Sequence, residues 1–557
     1  MTQALFERHH ALLLQAAAAA QSRRHWNPYA DGLPAAAADA EQAHEWLERQ
    51  RNTQFYLDQP GVIGRMGNER SPYGAHLGVR YPECAPDALL AAARNAMPGW
   101  VRAGTQARIG VCMEVLARLH AAADELVFAV MHATGQAHGI ALHVGVTQAL
   151  ARGLECVVMA WREMNGVAPR ATWSRSGHGG EPLHVDKEYS IVPRGQALVI
   201  GSASAPTWEA MPPIFASLAT GNAVLVRPPR SAILPLALVV ATCRQVLWEA
   251  GFDGNLISLA GGEHVDPALR EAARTGMVRL VDHAGGDDDS HWETAPATTV
   301  FDARMSPGCA VVDSTDDYAG MIRYLSVAIA FDSAALPFSL QNIFVPGLGL
   351  TTPDGRISAE TFRRDLAQGI GRLVEDPRIA AGILRTVVRH ESAAADAAAE
   401  QVADVLRPAQ YIAHPRWPEA SLRVPPLLRC EASAKDVYGS RLTTPAILLV
   451  DAQTTMAALA AAEETMAARA SHELLVYSTN PHVVQAAEEV AMRVGAMLSV
   501  NLCTSLNQAS HLAVPAAFSD LAGGGDAAGR TTLVDDRYVN NRFAVVERRQ
   551  MHAGDGV

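Results

Sequence analysis

The stretch Val192-Pro-Arg-Gly-Gln-Ala-Leu-Val-Ile-Gly201 indicates the fold class, because a short apolar segment that ends in glycine is typical of a buried strand and its turn. Further apolar strands are predicted at residues 223–227 and 256–260, and helices at 212–219 and 234–250. Strands that alternate with helices predict a parallel sheet covered by helices on both faces.

A second set of strands and helices lies between residues 308 and 501. Its predicted strands are 309–313, 341–345, 446–450 and 474–477. Helical periodicity dominates residues 85–165, with helices predicted at 87–94, 105–122 and 124–134. Two extended stretches around the glycine-rich segment 174–181 predict a hairpin, and residues 542–548 predict a strand. The sequence therefore predicts an α/β protein with two doubly wound lobes and a cleft between them.

Composition narrows the class of protein. The chain has 557 residues, a formal net charge of -12, 49% hydrophobic residues and seven cysteines. The acidic balance argues against a nucleic-acid partner or an anionic membrane. The cysteines are scattered and never form a C-x-x-C pair, which favours free thiols in a reducing compartment, and we expect a cytoplasmic protein. Residues 1–24 predict an amphipathic helix instead of a signal peptide.

Several motifs carry a family resemblance. The stretch 192–201, with 216–222, 224–228 and 249–252, resembles the cofactor domain of the aldehyde dehydrogenase superfamily. The chain is more narrowly similar to the phenylacetic acid degradation protein N branch. The motifs that carry this second resemblance are Asp58-Gln-Pro-Gly61, Glu69-Arg-Ser-Pro-Tyr-Gly74, Ala96-Met-Pro-Gly-Trp100, Met131-His132, Thr134-Gly-Gln136, Val312-Asp-Ser-Thr-Asp-Asp-Tyr318 and Ala517-Phe-Ser-Asp520.

The resemblance implies an aldehyde dehydrogenase-like fold with two Rossmann-like lobes and a β-hairpin oligomerisation arm, and hence a homo-oligomer, either a dimer or a tetramer. The expected divisions are an N-terminal helical part of the cofactor lobe (1–170), the hairpin (171–190), the cofactor lobe (191–305), a catalytic-type lobe (306–525) and a C-terminal tail that supplies an oligomerisation strand (526–557).

The family's catalytic chemistry requires a thiolate nucleophile, a glutamate that activates water and donors for the oxyanion. Aligned on the motifs, the nucleophile position holds Pro337 and the glutamate position holds Ala303. Asp302 lies beside Ala303 as a shorter carboxylate. Ser204 stands at the oxyanion asparagine, although this branch often lacks that asparagine. The resemblance therefore implies that no catalytic position is intact.

The cofactor positions are altered as well. The turn expected to close over the pyrophosphate reads Gly285-Gly286 and is followed by three aspartates, 287–289, whose charges would oppose a phosphate there. Arg227 replaces the lysine that contacts the adenosine ribose and retains its charge. Arg441 replaces the glutamate that holds the nicotinamide ribose, and a guanidinium has only donors. NAD(P) is expected only if the cleft remains open.

Four residues are candidate substitutes in a repurposed site: Cys503, Glu209, Asp302 and His283. For Cys503 the plainer interpretation is a core thiol, and for Glu209 a carboxylate at a helix N-terminus. His283 lies at a strand end that faces the expected cleft. The acidic cluster formed by 282–283, 287–289 and 291 is more typical of a solvated helix cap than of a metal site, and no metal is expected.

Three hypotheses follow. The chain is a pseudoenzyme or a repurposed cleft that binds a small-molecule ligand. Alternatively, it is an active NAD(P)-dependent aldehyde dehydrogenase of aromatic-acid catabolism. The third hypothesis is a structural partner in mixed oligomers with an intact paralogue. The sequence leaves open whether the chain is an enzyme.

Overall fold

The computed structural model describes residues 2–22, 26–29, 45–46, 48–176, 182–262, 265–285, 292–302, 308–337, 339–440, 442, 444–469, 473–503 and 536–553. Among these residues, no helix combines the length and apolarity that crossing a bilayer requires.

The regular elements follow the predicted alternation. The α-helices of five or more described residues are α1 (Thr2–Ser22), α2 (Pro86–Arg102), α3 (Gly104–Ala121), α4 (Ala123–Thr134), α5 (Ala149–Asn165), α6 (Pro206–Ala219), α7 (Leu234–Glu249), α8 (Val265–Arg274), α9 (Tyr318–Ala330), α10 (Ala359–Leu373), α11 (Pro377–Ile383), α12 (Arg389–Ala399), α13 (Thr455–Arg469), α14 (Pro481–Val494) and α15 (Asp536–Asn540). The strands are β1 (Val62–Met66), β2 (Tyr81–Cys84), β3 (Arg170–Ser176), β4 (Pro182–Pro193), β5 (Gln196–Ile200), β6 (Ala223–Arg227), β7 (Ile257–Leu259), β8 (Val278–His283), β9 (Thr299–Asp302), β10 (Gly308–Val312), β11 (Leu340–Pro346), β12 (Leu350–Thr352), β13 (Gly355–Ile357), β14 (Thr386–Val387), β15 (Asp404–Arg407), β16 (Gln410–Ala413), β17 (Ser421–Val424), β18 (Leu427–Glu431), β19 (Ile447–Ala452), β20 (Glu473–Tyr477), β21 (Met497–Val500) and β22 (Phe543–Ala553).

The first lobe is built on a parallel five-stranded sheet in the order β7-β6-β5-β8-β9. The chain first extends the sheet from β5 to β7 and then crosses to the other side of β5 to form β8. The order therefore reverses between β5 and β8, and in doubly wound sheets such a switch point opens a crevice at the carboxyl ends of the strands.

The second lobe contains a seven-stranded sheet in the order β15-β18-β19-β11-β10-β20-β21, parallel except for the edge strand β15. Its central strands are buried on both faces. Ala310 and Ile343 pack on one side, and Cys309 and Phe344 pack on the other. This alternation explains why these segments read as continuous apolar runs. The two α/β lobes predicted from the sequence are confirmed.

Two three-stranded antiparallel sheets accompany the two large sheets. Strands β22, β4 and β3 form a three-stranded sheet, in which β22 pairs with β4 over eleven residues of each strand. Strands β14, β17 and β16 form another, which lies beside the cleft. The hairpin strands and the terminal strand agree with the predicted ones, and the turn residues 177–181 lie outside the described residues.

Two predicted helices were too short, and both observed helices continue through proline. The helix predicted at 87–94 continues to Arg102 through Pro98, and the helix predicted to begin at Pro212 begins at Pro206. Proline removes one backbone donor from a helix, a cost that burial of apolar side chains can offset. All residues of α6 are buried, so packing outweighs the two internal prolines.

A fully buried ion pair fastens the C-terminal strand to the first lobe. Arg542, 0% exposed, donates from Nη1 to Asp282 Oδ2 (2.9 Å) and from Nη2 to Asp282 Oδ1 (2.5 Å). Nη1 also donates to Ser217 Oγ (2.8 Å), and the guanidinium lies 4.4 and 4.3 Å from the ring centroids of Phe301 and Tyr538. Because Asp282 lies in β8 and Arg542 directly precedes β22, the pair connects the start of the terminal strand to the first sheet.

A buried carboxylate from the Glu69 motif caps α7. Glu69, 2% exposed, accepts hydrogen bonds from Tyr81 Oη (2.6 Å) and from the backbone N–H groups of Ile233 (2.6 Å) and Leu234 (3.1 Å). These donors satisfy N–H groups that a helix N-terminus leaves unpaired. Burial nevertheless raises the pKa of Glu69 from an ordinary 4.5 to about 7, and the three donors only partly oppose this shift.

The raised pKa of Glu69 predicts a pH-dependent stability. The folded chain holds this proton more tightly than the unfolded chain, so the stabilisation is complete below about pH 4.5 and is lost as the pH rises through about 7. We expect Glu69→Gln to remove this slope, which is at most about 1.4 kcal/mol per pH unit. Chemical denaturation across this pH window measures it. The exposed Glu125→Gln is the control, and an unchanged slope in Glu69→Gln would contradict the prediction.

Candidate functional site

A cavity of about 470 Å³ lies between the two lobes. The first lobe contributes the residues after β5 and β8, at the switch point, together with one residue of α6. The second lobe contributes the turn before β11, the start of β11, and parts of β14, α12 and β17. Its lining residues from the first lobe are Ser202, Ala203, Ser204, Glu209 and Ala284. The cavity therefore occupies the crevice that the strand order predicts.

The turn before β11 forms one wall and has an unusual backbone. Asp332, Ser333 and Ala334 have φ values of 50°, 55° and 56°, although none of them is glycine. Left-handed residues of this kind each cost of order 1 to 3 kcal/mol and are found where the surrounding structure holds them for function. Pro337 follows this turn and lines the cavity. The predicted nucleophile position is therefore at the cavity wall, and its side chain has no ionisable or nucleophilic group.

An arginine holds the left-handed turn in place. Arg385 donates from Nε to Asp332 Oδ2 (3.1 Å), and its Nη2 donates to the same oxygen. The backbone N–H of Arg385 donates to Ser333 Oγ (2.9 Å), whose hydroxyl donates to the carbonyl of Arg423 (2.5 Å). Burial raises the pKa of Asp332, and the charge of Arg385 opposes this rise. The pair thus fixes the turn that shapes the cavity wall.

A second arginine lies beside the first. The backbone N–H of Arg423 donates to the carbonyl of Arg385 (3.0 Å), and both residues line the cavity. Arg423 pairs with the buried Asp396, with Nε 3.0 Å from Oδ2, and also donates to Thr444 Oγ1 (2.9 Å). Burial would raise the pKa of Asp396, but the hydrogen bonds and charge of Arg423 lower it below its usual range. Each guanidinium therefore has a buried aspartate partner.

The Glu69 and His132 motifs meet beside the cavity. Ser71 Oγ lies 2.9 Å from Nδ1 of the fully buried His132, and Tyr73 Oη donates to the carbonyl of Gln136 (2.9 Å). Gln136 Nε2 donates to the carbonyl of Ser204 (3.1 Å), which also accepts from Arg385 Nη2 (3.0 Å). The complete burial of His132 favours a structural role for this residue. The Ser204 carbonyl therefore accepts hydrogen bonds from residues of both lobes.

The cysteine thiols that the structure describes lie outside the cavity. Among the described residues, no cysteine lines the cavity. Burial raises the pKa of all seven thiols, which makes them poor nucleophiles; those other than Cys503 belong to Cys84, Cys112, Cys156, Cys243, Cys309 and Cys430. Cys503, the candidate substitute, packs at the edge of the core that contains Tyr477, near the start of α9, and burial raises its pKa as well. The structure does not bring Cys503 together with Ser204 and Pro337.

The other candidates divide between the cavity and the core. Glu209 is buried and lines the cavity, and its charge favours the cationic form of the nearby buried Arg152. Arg152 stacks on the ring of Trp208 at 3.4 Å, so this tryptophan is core packing and does not fill the cleft. His283 is buried next to Trp292, with ring centroids 6.4 Å apart, and is not among the cavity-lining residues.

Two aspartates were candidates from the sequence, Asp302 as a substitute carboxylate and Asp282 as part of the acidic cluster. Asp302 ends β9, and the structure describes only its backbone. Asp282, a member of the acidic cluster, is bound to Arg542. Among the described residues, no group of three or more metal-ligating side chains is found. The remaining acidic residues of the cluster lie outside the described residues, as do Gly286, Ala303 and Arg441.

Comparison with known proteins defines the family. The model of the aldehyde dehydrogenase family matches residues 80–283. The crystal structure of a NAD-dependent aldehyde dehydrogenase from Burkholderia multivorans is 35% identical to this chain, with a TM-score of 0.92 and coverage of 100% of both chains. The chain belongs to the aldehyde dehydrogenase family.

Less similar solved structures share the fold. A 1-pyrroline-5-carboxylate dehydrogenase from Thermus with bound NAD is 16% identical, with a TM-score of 0.66 and coverage of 95% of this chain and 98% of that one. A NADP-dependent glyceraldehyde-3-phosphate dehydrogenase from Bacillus halodurans is 15% identical, with a TM-score of 0.63 and coverage of 88% and 96%. No curated protein sequence matches the chain.

At the positions predicted to contact the cofactor, the structure describes Arg227 and Gly285, and the contacts of Arg227 leave little room for a dinucleotide. Arg227 is buried and donates from Nε (2.8 Å) and Nη2 (2.7 Å) to the carboxylate of Asp266, and from Nη1 to the carbonyl of Pro228 (3.1 Å). All three nitrogens are therefore engaged, and the expected contact with a ribose would require the ion pair to open. Gly285, with φ +134°, forms the turn after β8 beside Ser202.

Sequence reasoning missed the two arginines and their aspartate partners. Asp332 and Arg385 are 53 residues apart, and Asp396 and Arg423 are 27 apart. No motif or spacing connects them, because their proximity depends on how β14 and β17 pack beside the turn. The one available signal was indirect: Asp332 lies in the segment aligned with the family's nucleophile loop.

Proposed function

We propose that this member of the aldehyde dehydrogenase family belongs to the phenylacetic acid degradation protein N branch, has lost thiol-dependent NAD(P)-linked aldehyde oxidation, and retains its cleft for a small ligand. The observation that carries this proposal is the cavity wall at Pro337. Pro337 lines the cavity at the position where the family resemblance predicts the thiolate, and no described cysteine reaches the cavity.

The engaged Arg227 supports the loss of oxidation, because a hydride acceptor must be held beside the substrate before it can react. The branch assignment is supported by the Glu69 and His132 motifs. They form one hydrogen-bonded unit that contacts the cavity through Gln136 and the Ser204 carbonyl. The cytoplasmic location and a homo-oligomeric state are part of the same proposal.

The test is NAD(P)H formation with a panel of aromatic and aliphatic aldehydes. We expect the purified chain to give no turnover above the buffer rate with NAD or NADP, and calorimetry to detect no micromolar dinucleotide binding. The Burkholderia multivorans relative, assayed in parallel, shows that the conditions permit oxidation. Steady turnover by this chain would refute the proposal.

A second candidate is an active NAD(P)-dependent aldehyde dehydrogenase, favoured by the 35% identity to a structure described as NAD-dependent. It requires a thiol that reaches the substrate. If turnover is found, Cys503→Ser distinguishes the sources of activity: loss of turnover would support this candidate, and retention would exclude Cys503 as its nucleophile.

A third candidate, assembly with an intact paralogue, is favoured by the arm formed by β3, β4 and β22. This sheet exposes large apolar side chains, as interaction surfaces do; they include Trp173 (43% exposed), Val546 (52%) and Met551 (68%). Co-expression with such a paralogue and pull-down tests it. A purely homomeric product would count against it.

A further inference from the structure

We propose that the cleft binds an organic carboxylate with an apolar body, and that Arg385 is the residue that holds the carboxylate group. This inference rests on the proposed ligand-binding function and names the class of its ligand. Arg385 makes hydrogen bonds to the protein and leaves one nitrogen available to a ligand.

Arg385 is held by the protein through one edge of its guanidinium. Nε and Nη2 are used by Asp332 and by the Ser204 carbonyl. Nη1 has no hydrogen-bond partner among the described residues, while the side chain is largely buried and lines the cavity. A guanidinium that is fixed on one edge and open on the other is preorganised to donate to a ligand, and a carboxylate is its strongest common acceptor.

A second donor faces the same space. The hydroxyl of Ser392, on α12, lines the cavity and has no hydrogen bond within the described part of the chain. Ser333 and Thr444 also line the cavity, but their hydroxyls are used by the two arginine pairs. Arg385 Nη1 and Ser392 Oγ are therefore donors that the fold itself leaves unused.

The charges around the cavity do not exclude an anion. Two carboxylates line the cavity, and an arginine lies close to each of them. Glu391 Oε1 lies 3.1 Å from Arg70 Nη1, and Glu209 is close to the buried Arg152. Asp332 contacts Nε and Nη2 of the Arg385 guanidinium and does not contact Nη1.

Apolar side chains form another part of the wall and set the body of the ligand. Leu336, Pro337, Leu340, Val387 and Leu442 line the cavity. Ligand sites of this volume are commonly apolar with a few placed polar groups that fix orientation. Acetate or inorganic phosphate would satisfy the arginine and leave this surface unfilled, so a carboxylate that carries a hydrocarbon or aromatic body is the better match.

Calorimetry on the full-length protein tests the proposal with 3-phenylpropanoate, its neutral amide, acetate and inorganic phosphate. We expect saturable binding of 3-phenylpropanoate, at least about tenfold weaker binding of the amide because it lacks the charge-assisted hydrogen bond, and no comparable binding of acetate or phosphate. Equal binding of the acid and the amide would overturn the role of the carboxylate. Phosphate binding as tight as that of the acid would overturn the role of the apolar body.

Two variants locate the site. Arg385→Gln should weaken binding of 3-phenylpropanoate about 10- to 100-fold and leave the amide unchanged, whereas Arg364→Gln, at an exposed arginine of α10, should change neither. A folded Arg385→Gln protein that still prefers the acid would refute the proposal.

Because Arg385 also fixes a turn, Ala395→Phe provides a second variant that fills the cavity without removing a polar group. It should abolish binding, while Ala394→Phe on the exposed side of the same helix should not. Retained binding in Ala395→Phe would place the ligand elsewhere. These outcomes are separate from aldehyde turnover: absent turnover with absent carboxylate binding would remove this inference and leave the proposed loss of oxidation intact.

Discussion

Replacing Arg542 with methionine is expected to lower the free energy of unfolding by about 3 to 5 kcal/mol, the usual effect of removing one partner from a buried ion pair. Methionine retains much of the apolar stem, so the loss comes from the charge and the hydrogen bonds. Asp282 would remain 4% exposed with no cation on it, and the hydroxyl of Ser217 would lose its donor. Chemical denaturation of the wild type and the variant measures the difference.

The double variant Arg542→Met, Asp282→Val tests whether the lost stability comes from the uncompensated charge. Replacing both members of a buried pair with apolar groups often costs less than replacing one, because no uncompensated charge is left. We therefore expect the double variant to recover part of the stability lost in Arg542→Met. Arg548→Met, on the same strand with 72% of its side chain exposed, is the control and should change stability by less than about 0.5 kcal/mol. A double variant less stable than Arg542→Met would contradict the electrostatic explanation.

The sequence predicted most of the sheet architecture because the pattern of buried strands is local. Strand β6 was predicted with its observed limits, and the neighbouring residues Cys309 and Ala310 pack on opposite faces of a strand that was read as continuously apolar. Helix limits were less accurate at Pro98 and Pro212, where packing outweighs the local preference of proline. Local pattern predicts which elements form, and tertiary burial decides where they end.

The residues of the candidate site were also predicted only in part. Ser204 and Pro337 were placed from motifs, and both line the cavity. Arg385 and Asp332 were not, because the sequence contains no sign that a residue after α11 would meet one that precedes β11. Arg542 is another residue whose long-range contact was not predicted from the sequence. It was read only as the first residue of a terminal strand, yet its partner Asp282 is 260 positions away. Long-range charge pairs carry no periodic signal.

Gly135 connects the two parts of the site, and we expect Gly135→Ala to destabilise the protein by about 4 kcal/mol. Gly135 ends α4 with φ +79°, where a side chain is strained, and an added Cβ would lie 2.0 Å from the carbonyl oxygen of Thr386. That oxygen is backbone, so relief requires β14 to move, a form of overpacking that adds a further cost of about 1 to 3 kcal/mol. Chemical denaturation measures the change.

The same displacement should reach the cavity, because Thr386 follows Arg385 directly and its N–H donates to the Gly135 carbonyl (2.7 Å). Moving β14 would pull the Arg385 guanidinium from the Ser204 carbonyl, which Gln136 holds from the other side. Folded Gly135→Ala protein should therefore bind 3-phenylpropanoate more weakly. Gly139→Ala, four residues along the chain and with nothing within 4 Å of its added Cβ, is the matched control and should preserve both stability and binding. Equal stabilities of the two variants would show that the contact between Gly135 and Thr386 does not constrain the site.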